Sequence, residues 1–211
     1  MGATFQLPRT PSLAEPIRIA VLISGGGSGL KALIDFQNKK ERLHRTSLVL
    51  SDSLEASGLG HGRSNGIRSI GIPLPDVSDK SEQRLAHERK INDELKGSGI
   101  ELVVLSGYMR ILTPSFVRIW SGRIINIHPS LLPDFPGAHA HRDVIEAGSK
   151  VTGCTIHLVD DGVDSGPIIV QRKIHVLPND DENTLQKRVK EIEHKLYPET
   201  IDKLCSGDVI S

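Results

Sequence analysis

Apolar and polar positions along the chain follow two rhythms. Ile17-Arg18-Ile19-Ala20-Val21-Leu22-Ile23 is almost wholly apolar and rich in β-branched residues, as a strand buried on both faces should be. Ser24-Gly25-Gly26-Gly27-Ser28-Gly29 breaks it, and Leu30, Leu33 and Ile34 follow at helical spacing, so the pattern predicts a helix from about Ser28. Ser47–Leu50 predicts a second strand, and the glycine-rich stretch Glu55–Gly66 only a weak helix. Ile70–Ile72 predicts a short third strand. Lys80–Lys96 predicts an amphipathic helix with Leu85, Ile91 and Leu95 inward. Leu102–Leu105 predicts a fourth strand, and Pro114–Trp120 a short helix with Phe116, Val117 and Trp120 inward. Arg123-Ile124-Ile125 leads a fifth strand into Asn126 and His128, where Pro129 and Pro133, lacking N–H groups, should end the pairing. Arg142–Ala147 predicts a short helix closed by Gly148, Thr152–Val159 and Pro167–Ile174 two further strands, and Glu182–Leu204 the last helix.

Strands alternating with helices define an α/β class, a Rossmann-like, mostly parallel sheet flanked by helices. The short loop between the last two strands predicts an antiparallel extension near the C-terminus. Residues 16–211 are expected to form a single domain, and residues 1–15 a disordered tail without the apolar segment of a secretory signal.

Charge narrows the partners. The 211 residues hold 26 basic and 26 acidic side chains, a balance that argues against a nucleic-acid partner. No apolar run approaches membrane-spanning length. Cys154 and Cys205 are far apart with no metal spacing, which predicts reduced thiols in a reducing compartment.

Three constellations could carry chemistry. Asn126 and His128 are two apart on one strand, so they share a face at its carboxyl end. In parallel sheets that end is where ligands bind. The strand–glycine–helix turn at 24–29 gathers free backbone N–H groups at a positive helix end, an anion site suited to phosphate. Gly27-Ser28-Gly29-Leu30-Lys31-Ala32 also matches the dinucleotide form G-x-G-x-x-A, with Asp52 where a ribose-binding acid would sit. The third is Asp160-Asp161-Gly162-Val163-Asp164, whose carboxylates could be solvated, bind a metal, or partner His128. An Asn, a His and an Asp around one carbonyl would make an acyl-transfer site. No nucleophilic elbow is present, which favours direct transfer over a covalent intermediate. His139, His141, His128 and His157 raise zinc, although sequence shows no convergence of ligands.

Asn126-Ile127-His128-Pro129-Ser130-Leu131-Leu132-Pro133 with Asp164 resembles the folate-dependent formyltransferases. Ile23–Ser28, Gly107-Tyr108-Met109-Arg110-Ile111-Leu112, Pro136-Gly137 with His141, Gly153–His157 and Glu193-His194 extend the likeness from about Ile17 to Leu204, and point to the purine-pathway branch. The resemblance implies formyl transfer from 10-formyltetrahydrofolate, as co-substrate, to the amine of 5'-phosphoribosylglycinamide, with no metal. It implies Asn126, His128 and Asp164 as the catalytic set. Gly27, Ser28, Gly29, Lys190 and Glu193 would hold the phosphate and ribose. Arg84, Met109, Arg110, Ile111, Leu112, Asn126, His157, Asp160, Asp161 and Asp164 would hold the folate. A cytoplasmic monomer or homodimer is expected, with small-molecule partners and neither nucleic acid nor membrane. Sister enzymes of the family carry an extra regulatory or tRNA-binding domain, for which this length leaves no room. One departure is Gly29, where the family usually has asparagine.

Overall fold

The apolar run that opens the fold, β1 (Ile17–Ile23), is an interior strand of one seven-stranded sheet. The computed structural model describes residues 4–208. The other strands are β2 (His44–Ser51), β3 (Arg68–Gly71), β4 (Leu102–Leu105), β5 (Ile124–His128), β6 (Val151–Leu158) and β7 (Ile168–His175). Their order is β3-β2-β1-β4-β5-β6-β7. The first five strands pair in parallel; β6 is antiparallel to both β5 and β7. The α/β class, the mostly parallel sheet and the antiparallel extension therefore stand as the pattern predicts.

The helices are α1 (Ser28–Gln37), α2 (Leu59–Ser64), α3 (Lys80–Gly97), α4 (Pro114–Ile119), α5 (Ala140–Glu146) and α6 (Glu182–Ser206). Alternation along β1 divides the core. Ile17, Ile19, Val21 and Ile23 face Leu30 and Leu33 of α1 and Leu185, Val189 and Ile201 of α6. Ala20 and Leu22 face Ile91 and Leu95 of α3 and Phe116 and Val117 of α4. Each such fully buried aliphatic side chain contributes about 2 kcal/mol. Leu85 is the exception to its predicted face: it is 40% exposed, and α3 buries His87, Glu88 and Asn92 instead. These polar groups are bonded, Glu88 to Thr113 and Asn92 to the indole N–H of Trp120. An amphipathicity count based on apolar residues alone misses a helix face built from satisfied polar groups.

The expectation of a disordered tail does not hold for residues 4–15; Met1–Ala3 lie outside the described residues. The segment forms no helix or strand, yet Phe5 and Leu7 pack against the core and Gln6 N–H donates to Gly122 O. Arg9 grips Glu101 with Nε at 2.7 Å and Nη2 at 3.0 Å, and also donates to Glu15 O and Pro16 O. Burial alone would raise the Glu101 carboxyl, but Arg9 and the Arg18 N–H hold it below the usual carboxylate range. Glu101 lies 92 residues from Arg9 in sequence, which is why local composition gave no warning. Arg9→Ala leaves Glu101 buried with fewer donors, and is expected to lower the midpoint of urea denaturation. An unchanged midpoint would show that the segment is only laid on the surface.

The sheet ends differently at its two edges. β3 has only four residues. β7 is longer, and exposes Arg172 and Lys173 along with Ile168.

Candidate active site at the carboxyl edge of the sheet

Strand order reverses at β1, with β2 on one side and β4 on the other. The glycine turn leaves β1 at this point, and Asn126 and His128 leave β5 one strand beyond β4. At about 4.8 Å per strand, turn and imidazole lie about 10 Å apart across the sheet.

β5 and β6 together make the centre of the site. Their antiparallel register sets Asn126 opposite His157 and His128 opposite Thr155. The chain then returns after β6, and Asp164 turns back over the end of β5 in the left-handed region, at φ 52. Aspartate tolerates that conformation better than most residues. It aims the carboxylate inward: Oδ2 lies 3.3 Å from His128 Nδ1 and accepts from Gly137 N–H at 2.8 Å. Oδ1 lies 3.4 Å from Asn126 Nδ2 and 3.6 Å from His157 Nε2. Asn126 Nδ2 is also 3.2 Å from His157 Nε2. His128 Nε2–H donates to Phe135 O at 2.8 Å, and His157 Nδ1–H to Leu158 O at 2.9 Å. The turn after His128 is pinned by Thr155, which donates to Ser130 O and accepts from Leu132 N–H, and by Gln171, which donates to Leu132 O.

Electrostatics follow from burial. Burial alone would raise Asp164, yet His157, the Gly137 N–H and the His128 charge outweigh it and hold the carboxyl below its ordinary range. A carboxylate beside an imidazole would, taken alone, favour the protonated ring. The aspartate does pull the imidazole pKa upward, as does Phe135 O, but burial outweighs both and the net direction is down. His128 is therefore a mostly neutral imidazole whose proton, when it takes one, is shared with a fixed anion.

The glycine turn is built as a backbone cradle. Gly27 caps α1 at φ 62, where a side chain is strained, and a Cβ there would lie 3.0 Å from Gly58 Cα. Gly58 at the head of α2 donates to Gly25 O, and His61 Nε2 lies 3.1 Å from Gly26 O. A Cβ on Gly58 would meet Ile23 Cδ1 at 2.5 Å and Gly25 O at 2.8 Å. Gly58 and His61 support the turn and were not legible in sequence, because nothing local shows that α2 packs on it. At Gly29 a Cβ would meet Ser106 Oγ at 2.4 Å, so the serine hydroxyl fills the space of a side chain there.

From the other side α6 closes on the turn. His194 Nε2 lies 3.1 Å from Ser28 Oγ. Lys190 is half-buried one turn earlier, bonded to Gln186. Burial pushes the Glu193 carboxyl up to about 7 against the opposing pull of Lys190. Burial, then the charges of Lys190 and His128, push His141 down to about 4, and its Nδ1 has no partner.

Residues 107–113 form a strap after β4. Met109 and Ile111 are 65% and 57% exposed, while Leu112 is buried. Met109 N–H donates to Ser24 Oγ, Arg110 Nε to Asp52 Oδ2, and Thr113 N–H to Glu88 Oε1. Arg84 is exposed on α3, one turn before Glu88 and on the same face. Asp160 Oδ1 accepts from Gly162 N–H and Ser165 Oγ, shaping the acidic loop, whereas Asp161 is exposed, 3.9 Å from Arg118. Among the described residues no group of three or more His, Cys, Asp or Glu side chains is placed to hold a metal. His139 is exposed and His141 is buried.

A carboxylate-held imidazole, a primary amide and a backbone cradle on one doubly wound sheet are the parts that the resemblance to the formyl transferase family implies. The family's model matches residues 17–201, and the chain belongs to it. Within the family its likeness is to the purine-pathway members. It is 41% identical over 195 residues, 92% of this chain, to the trifunctional purine biosynthetic protein adenosine-3 of Drosophila melanogaster, of which it spans only 14%. It is 38% identical over 191 residues to the phosphoribosylglycinamide formyltransferase of Escherichia coli, covering 90% of this chain and 88% of that protein. The crystal structure of glycinamide ribonucleotide transformylase 1 from Symbiobacterium toebii matches with a TM-score of 0.85 at 39% identity, over 91% of this chain and 89% of that one.

Asp164→Asn removes the anion that draws the His128 pKa upward, so the already lowered value is expected to fall further. NMR titration of the ring reads it. An unmoved value would mean that the 3.3 Å contact carries no electrostatic coupling.

Proposed function

We propose that this chain transfers the formyl group of 10-formyltetrahydrofolate to the amine of 5'-phosphoribosylglycinamide. The observation that carries the reading is the Asn126–His128–Asp164 cluster two strand spacings from an anion cradle. A sugar phosphate with a short amide arm spans that interval, phosphate at the turn and amine at the imidazole. Gly27, Ser28 and Gly29 offer backbone N–H groups to the phosphate, with Lys190 as the cation beside it and Glu193 for the ribose hydroxyls. The exposed apolar side chains Met109 and Ile111 suit a flat heteroaromatic donor, with Arg84, Arg110, Leu112, His157, Asp160 and Asp161 around it. We read residues 16–211 as one catalytic unit acting in the cytoplasm without a metal.

Attack by the neutral amine puts negative charge on the formyl oxygen. Asn126 Nδ2 makes only long contacts, at 3.2 and 3.4 Å, so turning to that oxygen gives up little. Such a donor typically lowers the barrier by about 3 kcal/mol. The His128–Asp164 pair accepts the amine proton and returns it to the leaving folate nitrogen. Because the imidazole starts mostly neutral, it is a competent acceptor, and Asp164 steadies the imidazolium once formed.

Formyl-folate turnover should require the phosphorylated amine; undiminished turnover without it would make the chain a folate hydrolase. Asp164→Asn should keep substrate binding and lower turnover by about a hundredfold, the scale of a lost acid–base group. Near-normal turnover in that variant and in Asn126→Ala would sink the assignment. Gly27→Val, strained and pressed on Gly58, should raise the Michaelis constant for the phosphorylated amine far more than for the folate. Equal effects on both would make the turn merely structural.

A further inference from the structure

Asp52 was singled out in the sequence as a possible ribose acid, and the site gives it no such work. It follows β2 with its side chain 6% exposed. Oδ2 accepts from Arg110 Nε at 2.6 Å, across the end of β1. Oδ1 is buried without a partner, and so is the Tyr108 hydroxyl two residues before Arg110. Burial first, and then the Asp52 and Glu88 charges, raise the Tyr108 pKa, placing that phenol in the same buried pocket of charge.

The strap 107–113 is fixed at both ends through its backbone, by Ser24 at Met109 and by Glu88 at Thr113. Among the described residues only Asp52 hydrogen-bonds a side chain in its middle. The Arg110 side chain is 47% exposed while its Nε is tied to Asp52. A flexible arginine loses much side-chain freedom when it must order on a ligand. A buried carboxylate fixes that geometry in advance, and keeps Met109 and Ile111 presented on either side.

We propose that Asp52 is a positioning residue for the formyl donor, acting through Arg110 to preorganise the 107–113 strap. The proposal rests on the reading that this strap receives formyl-folate. Asp52→Asn keeps the shape and removes the charge. It is expected to raise the Michaelis constant for formyl-folate about tenfold, the effect of losing one charge-assisted bond, with turnover and the constant for the phosphorylated amine little changed. In an Arg110→Ala background the same substitution should add nothing, since the partner is already gone. An isosteric, unreactive folate with carbon at the transferring nitrogen, titrated by fluorescence, separates the two levels of the argument. Wild-type protein that does not bind it defeats the folate reading itself. Wild-type and Asp52→Asn proteins that bind it equally overturn the role of Asp52 alone. Equal rises in both Michaelis constants, or a full effect of Asp52→Asn without Arg110, would make the residue structural. Should Asp52→Asn fail to fold, Arg110→Gln must show the same donor-side rise for the proposal to stand.

Discussion

The site depends on one change of strand direction. Up to β5 the chain lays parallel strands whose carboxyl ends share an edge, and each can offer only the loop that follows it. β6 runs the other way, in a register that places His157 against Asn126. It therefore ends beside the start of β5, and the loop after it must double back to bring Asp164 over His128. That return needs Gly166, where a Cβ would press on Leu158 O at 1.8 Å, and a left-handed Asp164. A shift of one residue would turn His157 to the other face and separate the carboxylate from its imidazole.

Burial sets the charge state of what gathers there. Among the groups with a clear shift, His128, His141, His194 and Glu193 are all driven toward their neutral forms, with burial the largest cause each time. Asp164 alone is driven toward its charged form, because His157, a backbone N–H and His128 surround it. One firm anion among groups held neutral gives a proton taken up at His128 a fixed partner.

What could be read in advance was what is local. The β1 run, the glycine turn and the helix behind it follow one another in sequence, so their order alone placed them. Asn126 and His128 declared themselves by spacing and by the prolines that follow. What escaped were contacts made across long stretches of chain. Arg9 on Glu101, Gly58 against the turn and Asp52 on Arg110 each join segments whose proximity only the folded sheet creates. Leu85 failed for another reason, since a short helical face can be completed by bonded polar groups. The charge state of His128 was not legible either, because sequence offers a carboxylate that could partner it and hides the depth of the pocket.

The sheet's outer strand carries a different lesson. β7 is the last strand of the sheet, paired on one side with β6, and its side chains Arg172 and Lys173 are exposed. Two strands of this kind meeting edge to edge would bring cations together, which disfavours pairing between molecules. β3 reaches the same end by being too short to template anything. Replacing both cations with valine would remove that repulsion, so the guard against edge-to-edge pairing sits on a strand that carries none of Asn126, His128 and Asp164.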